Sequence, residues 1–300
     1  MKIKKPKIKD SMSTTNTINE SLINSLNGNN VKVHTAENAI HESFFIPKPV
    51  SKAYFVLPAY NEEESLPNLL KRIAGLPQSK SGMVEVIVVD DGSKDKTADI
   101  VKQGVNGLPL RLISHKRNMG LGQAVQTGIK EAIKLASDED IIVIMDADDT
   151  HDVTLLSKMI EKIESGSDIV IASRFVNGGD DKSAPPFRRL LSRGASFVFK
   201  TVLPLNDIKD FTSGYRAYRA NMLKRVSKHW GERLIEEKGF ACMVELLLKL
   251  RHWSPEITEV PFELRYDRKL GSSKLKLFRT IFQYIKLAMR DRLAPPPRRL

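Results

Sequence analysis

Cysteine is almost missing from this chain: Cys242 stands alone among 300 residues, which excludes a disulfide framework and any cysteine-rich metal site and fits a reducing, cytosolic setting. Long apolar runs are missing too. None approaches the ~20 residues that cross a bilayer, so any work at a membrane is expected from its surface. The N-terminal stretch "MKIKKPKIKDSMSTTNTINESLINSLNGNN" has lysines but no continuous apolar core of the kind a secretory signal needs. Its Ser, Thr and Asn content is that of a disordered tail, so residues 1–50 are set apart from the fold. No G-x-x-x-x-G-K-[ST] loop occurs anywhere. The one G-x-G-x-x-V arrangement, at Gly120 and Gly122 in "RNMGLGQAV", follows the third apolar run and not the first. Neither a P-loop enzyme nor a nicotinamide enzyme is supported; glycines there serve close backbone approach to a ligand or tight helix packing.

What remains is long enough for one large domain with an ordinary core. Charge is plentiful and lopsided: 48 Lys and Arg against 36 Asp and Glu give +12. Residues 265–300 hold eleven Lys or Arg against Asp267 and Asp291. Such an excess suits nucleic acid, anionic lipid or a phosphorylated substrate, or is a solvated surface.

From residue 53 short two-sided apolar runs alternate with amphipathic stretches: "AYFVL", "VEVIVV", "LRLIS", "IIVIM" and "DIVIAS", with helical patterns starting at Ser65, Asp95, Gly122 and Val153. Strands buried on both faces and separated by helices predict an α/β fold with a doubly wound, mostly parallel sheet and helices on both faces. "EITEVPFEL" alternates as a further strand, "TSGYRAYR" reads as a turn into a strand or helix, and "GFACMVELLLKL" is an apolar helix carrying Glu245. Ligands of such sheets bind beyond the carboxyl ends of the strands. The residues found there are "PAYNEEE", "DDGSKDKT", "HKRNMGLG", "DADDTHD" and "RFVNGGDD".

Asp146 and Asp148 leave a strand end one residue apart, able to aim two carboxylates at one point. Oxygen ligands without cysteine suit Mg2+ or Mn2+, ions that bridge to substrate phosphates; the alternative is a solvated loop with a helix cap, for which Asp149, Thr150 and Asp152 are suited. Arg174, Arg188, Arg189, Arg268 and Lys274 occupy loops that could converge on the same rim and bind phosphate oxygens. Phe278, Ile281, Phe282, Ile285 and Met289 recur at helical spacing opposite Lys276, Arg279, Gln283, Lys286 and Arg290. This basic amphipathic helix either lies in a membrane interface or packs on the sheet.

In order along the chain, "VLPAYNEEESL", "VIVVDDGSKDKT", "RNMGLGQAVQTGI", "DAD", "ASRF", "FTSGYRAYR" and "RKLGSSKL" resemble the inverting family 2 glycosyltransferases, and among them the polyprenyl (dolichyl) phosphate mannosyltransferases. The resemblance covers about 53–290. It implies a GT-A fold in which Pro58, Ala59, Tyr60 and Glu62 form the nucleotide-binding first loop and Asp90 contacts base or ribose. Asp146, Ala147 and Asp148 would make the metal motif of the nucleotide-sugar site. Arg174, Arg268, Ser273 and Lys274, with Arg188, would handle the phosphates of donor and acceptor. Asp148, Arg174, Arg268 and Asp210 then form the expected catalytic set. Two places depart from the family: "DADDTHDVT" stands where "DADLQHPPE" is usual, its Gln completing the metal site, and Met243 replaces a Gln before Glu245. Tyr215 also replaces the Phe of "D-x-T-S-G-F-R".

The implied function is metal-assisted, inverting transfer of mannose from GDP-mannose to a polyprenyl phosphate, with UDP-glucose as the alternative donor. A non-catalytic nucleotide-sugar-binding subunit and a basic nucleic-acid-binding protein are the readings from other classes; the acidic strand ends argue against nucleic acid. The expected organisation is a tail over 1–50, a GT-A domain over 51–265, a basic loop and interfacial helix over 266–294 and a Pro/Arg tail over 295–300. Some family members carry transmembrane helices after the catalytic domain and none is seen here, so a peripheral protein is expected. It would sit at the cytoplasmic face of a membrane, held by its basic helix or a membrane-anchoring partner.

Overall fold

The computed structural model describes residues 49–202, 208–268, 282–287 and 289; of residues 188, 191, 198, 201 and 202 only the backbone is described. The expectations for residues 1–48, Ser273, Lys274, Phe278, Ile281 and the tail over 295–300 lie outside the described residues.

Among the described residues seven strands form one sheet in the order β3-β2-β1-β4-β6-β5-β7. The interior strand β1 (Ala53–Ala59) pairs in parallel with β2 (Val84–Asp90) and with β4 (Ile141–Ile144). On one side β2 pairs with β3 (Leu110–Ser114), and on the other β5 (Ile169–Ser173) pairs with β7 (Ile257–Pro261), again in parallel. The exception is β6 (Arg216–Arg219), which runs antiparallel between β4 and β5. It comes from "TSGYRAYR", the segment whose sequence left strand and helix both open.

β1, β2, β4 and β5 are buried at every position, so both faces need a helical layer. Alternate residues go to opposite sides. Phe55 and Leu57 pack with Leu69, Leu70 and Ile73 of α1 (Leu66–Ala74) and with Met159 and Ile163 of α5 (Leu156–Glu164). Between these helices in the chain come the short α2 (Pro77–Lys80), α3 (Thr97–Gln103) and α4 (Leu121–Leu135). Val56 faces the other way, with Val125 and Ile129 of α4. A Cβ on Gly128 would stand 2.2 Å from Val56 Cγ1, so α4 lies on the sheet at a distance only glycine permits. The same layer holds Leu223 and Val226 of α7 (Ala220–Trp230) and the apolar α8 (Ala241–Leu250). Before them, α6 (Pro186–Val202) supplies Phe199 to this core.

The segment 282–287 is helical. Tyr284 meets Phe199 edge-on with ring centroids 5.2 Å apart, and Leu287 is buried. Phe282, Ile285 and Met289, three positions of the expected apolar stripe, are instead more than half exposed. Among the described residues no helix is long and apolar enough to cross a membrane.

Candidate active site

Parallel pairing brings the carboxyl ends of β1, β2 and β4 to one edge. Ala59 lies opposite Asp90 and Val56 opposite Ile144, which carries Asp146 to the height of Pro58. A cleft of about 1560 Å³ opens there. Pro58, Ala59, Tyr60, Glu62, Asp146, Ala147, Asp148, Arg174 and Arg189 line it, as the sequence suggested for all nine. Asp90, Asp210 and Arg268 do not. Arg188 lies in α6, with its side chain outside the described residues.

Asp146, Asp148 and His151 each offer a ligand atom, all within 4.8 Å of one another. The imidazole stacks on Phe262 at 5.2 Å and meets the edge of Tyr215 at 5.3 Å, so it is held on two sides by aromatic rings. His151 was not singled out as a ligand in the sequence; its signal was there, three residues beyond Asp148 in the same loop. Thr150, at the position of the family's Gln, donates its hydroxyl to Asp148 Oδ1 at 2.7 Å.

The other two acids of the loop point elsewhere. Asp149 takes a left-handed φ of 57°, and its carboxylate meets Arg72 of α1 at 2.5 Å. That turn directs it to Arg72, which also lies 3.7 Å from Asp152. Asp152 accepts from the Thr154 backbone N–H at 3.1 Å and caps the next turn of helix, as its residue type suggested.

At the end of β2 two neighbouring acids face different ways. Asp90 is turned in and accepts from Ser93 N, whereas Asp91 lines the cleft. Asp91 gathers the glycine loop: it accepts from Met119 N at 2.9 Å, from Gly120 N at 2.8 Å, and bonds His115 Nδ1 at 2.7 Å. The reason is strand parity, since adjacent residues of an extended chain face opposite ways. Asp90, expected at the nucleotide, therefore does not line the cleft, and its neighbour Asp91 does.

Arg174 and Asp210 form a bidentate pair. Arg174 donates from Nε at 2.8 Å, from Nη2 at 2.7 Å and from its backbone N at 3.1 Å, and Nη2 also reaches Thr212 Oγ1 at 2.7 Å. Burial alone would push the Asp210 carboxyl up, but the Arg174 charge and hydrogen bonds, aided by Arg216, hold it below the usual carboxylate range. Burial likewise works against the Arg174 charge, and Asp210 outweighs it, so the guanidinium is held above its ordinary value. Asp210 is fully buried. Expected in the catalytic set, it does not line the cleft and holds Arg174 from behind. Arg268 sits in a 3-10 turn after β7 with Nη1 buried and unpartnered, outside the cleft wall.

One wall came from a segment that carried no recognised signal, "LIEEKGF". Ile235 to Phe240 line the cleft. They are braced from beneath by Glu245 of α8, whose Oε2 accepts from Glu236 N and Glu237 N, and which pairs with Lys249 at 3.0 Å. The glycine loop presses directly on this wall: a Cβ on Gly122 would fall 1.8 Å from Glu237 O, and one on Gly120 2.6 Å from Lys238 O. These glycines thus serve close approach of two backbones.

Comparison with known proteins agrees with this arrangement. The family model "Glycosyl transferase family 2" matches residues 54–227. A dolichol-phosphate mannosyltransferase of Pyrococcus furiosus is 37% identical over 236 residues, 78% of this chain and 62% of that protein. The chain thus spans about three fifths of that relative's length. A polyprenol monophosphomannose synthase of Mycolicibacterium smegmatis is 30% identical over 82% of this chain and 90% of its own. Among solved structures, glucosyl-3-phosphoglycerate synthase of Mycobacterium tuberculosis, in complex with Mn2+, UDP and phosphoglyceric acid, superposes with a TM-score of 0.57 at 20% identity, covering 82% and 80% of the two chains. At that identity the likeness speaks for the fold, which is GT-A.

Proposed function

Because this chain belongs to glycosyltransferase family 2, we propose that it transfers mannose from GDP-mannose to a polyprenyl phosphate, inverting the sugar's configuration, at the surface of a membrane. The observation that carries the acceptor and the sugar is the pair of curated relatives, both named for mannose transfer to a polyprenol or dolichol phosphate, at 37% and 30% identity. The geometry supports the reaction type.

The nucleotide would lie against Pro58, Ala59 and Tyr60, with Asp91 facing its base or ribose. Asp146, Asp148 and His151 fit a divalent ion: two carboxylates and an imidazole whose ligand atoms already lie within 4.8 Å. The imidazole favours Mn2+ over Mg2+, whose preference is for oxygen alone. When bound, such an ion neutralises the diphosphate that departs from the sugar.

A phosphate acceptor is ionised at neutral pH and attacks the anomeric carbon as it stands, so the chain has no strong base to supply. Its task is placement and charge. Arg174 is suited to it. Nε and Nη2 are spent on Asp210 and Thr212, which fixes the plane of the guanidinium and leaves Nη1 for a phosphate oxygen. Arg189 of α6 lines the same cleft and adds a second charge on that side.

The test is to incubate the purified chain with polyprenyl phosphate, Mn2+ and either labelled GDP-mannose or labelled UDP-glucose. Lipid-soluble label from GDP-mannose is expected. Label from UDP-glucose alone would replace the donor, and no label from either would overturn the proposal.

A further inference from the structure

Outside the transfer cleft, α6 and the loop after β5 enclose a second recess of about 430 Å³. Arg193, Ser196, Phe197 and Lys200 of α6 line it, facing Phe175 and Lys209. Their spacing of three, four and seven residues places the α6 members on one stripe of the helix. Arg174 also lines it, so the recess backs onto the transfer cleft.

Its chemistry is one-sided. Four cations and no carboxylate are among the described residues lining it. Three acids around it are already engaged: Asp210 with Arg174, Asp181 with Arg193 at 2.7 Å, and Glu259 with the backbone N–H groups of Lys209 and Asp210. Two of the four cations, Arg174 and Arg193, are matched by buried carboxylates; among the described residues Lys200 and Lys209 have no ion pair. The decisive feature is Ser196. It is 5% exposed, it lines the recess, and its Oγ is buried without a hydrogen-bond partner. A buried hydroxyl left unpaired costs about 1–3 kcal/mol, and a helical serine could have bonded the carbonyl four residues back. An anion seated beside Lys200 and Lys209 would satisfy both the hydroxyl and the excess charge.

We propose that this recess is a second phosphate site, which takes the phosphate of a phosphoric ester outside the transfer cleft. The exposed side of α6 fits a lipid source for that phosphate: Phe197 at the mouth is 70% exposed and Leu190 on the same helix 69%. Apolar side chains beside a cationic recess match a headgroup above acyl chains. Free phosphate offers the same chemistry without the acyl chains.

The experiment uses the full chain in two arms. Flotation with phosphatidylcholine vesicles, with and without phosphatidic acid, reads the lipid source; calorimetric titration with inorganic phosphate reads the free anion. The variants are S196A, K200E/K209E and, as a charge-matched control on α3 and α4, K102E/K134E. Preference for phosphatidic acid should fall about tenfold in S196A, the lower end for a hydrogen bond to a charged group. It should vanish in K200E/K209E and persist in the control. The same ranking in the phosphate titration, without vesicle preference, would assign the site to the free anion. Equal loss in the control pair, or no effect of S196A in either arm, would overturn the site. Unfolding midpoints of the variants verify folding, with K200Q/K209Q as the milder substitute. Neither arm needs turnover, so failure of the transfer reaction leaves this test standing.

Discussion

Replacing Asp210 by Asn tests the buried pair behind the transfer cleft. The carboxylate is fully buried and accepts six hydrogen bonds: three from Arg174, two from Thr212 and one from Ser213 N. Asn keeps the shape but removes the charge and sets an amide N–H against the guanidinium, leaving Arg174 nearly buried and uncompensated. Breaking a buried pair from one side costs about 3–5 kcal/mol. For a chain of this size that is an unfolding midpoint lower by roughly 6–20 °C. The pH dependence adds a sign. Because the folded carboxyl is held below its ordinary value, its stabilisation is fully present above the unfolded value of ~3.9 and is lost as pH falls through the lower folded value. The gap between wild type and D210N should therefore be constant near neutrality and close below pH ~4. Denaturant unfolding between pH 7 and pH 3 measures it, and acceptor KM should rise alongside, since Arg174 loses its fixed plane. A variant within ~1 kcal/mol of wild type at pH 7, or a gap that ignores pH, would refute the reasoning.

Asp148→Asn should lower turnover by about a hundredfold or more, with weaker Mn2+ binding by titration; unchanged turnover would remove the metal assignment. Asp149→Ala should cost about 1–2 kcal/mol, through the lost Arg72 pair and the left-handed backbone, yet leave Mn2+ affinity as it was. Gly122→Ala should destabilise by about 3 kcal/mol or more, because the added Cβ meets a backbone carbonyl. Gly194→Ala, where nothing lies within 4 Å in α6, should be neutral or stabilise by up to ~1 kcal/mol. Thermal unfolding ranks these three.

The parallel half of the fold was legible because its strands are buried on both faces, and "VEVIVV" or "IIVIM" can hardly be anything else. β6 was not. Its four residues include Arg216, a charge that is fully buried and bonded to the carbonyls of Phe211 and Met243. Only tertiary contacts make such a residue a central strand. The rim loops were legible to within a residue: Asp146 and Asp148 line the cleft as expected, while at the end of β2 it is lined by Asp91 and not Asp90; a one-residue ambiguity at a strand end reverses the facing of a side chain. Asp210 was expected in the catalytic set, but its burial and its pairing with Arg174, 36 positions away, could not be read from the sequence. His151 shows the reverse case. Its letter lay in the loop of greatest interest, and only the fold, which packs it on Tyr215 and Phe262, brings it within 4.8 Å of the two carboxylates.

The transfer itself is tested most directly by the anomeric configuration of its product. GDP-mannose, polyprenyl phosphate, Mn2+ and the purified chain should yield one lipid product, whose anomeric carbon, read by NMR, is β-linked to phosphate, the inverse of the α-linked donor. An α-linked product would contradict the single in-line displacement, and the absence of any mannosyl lipid would contradict the account at its centre.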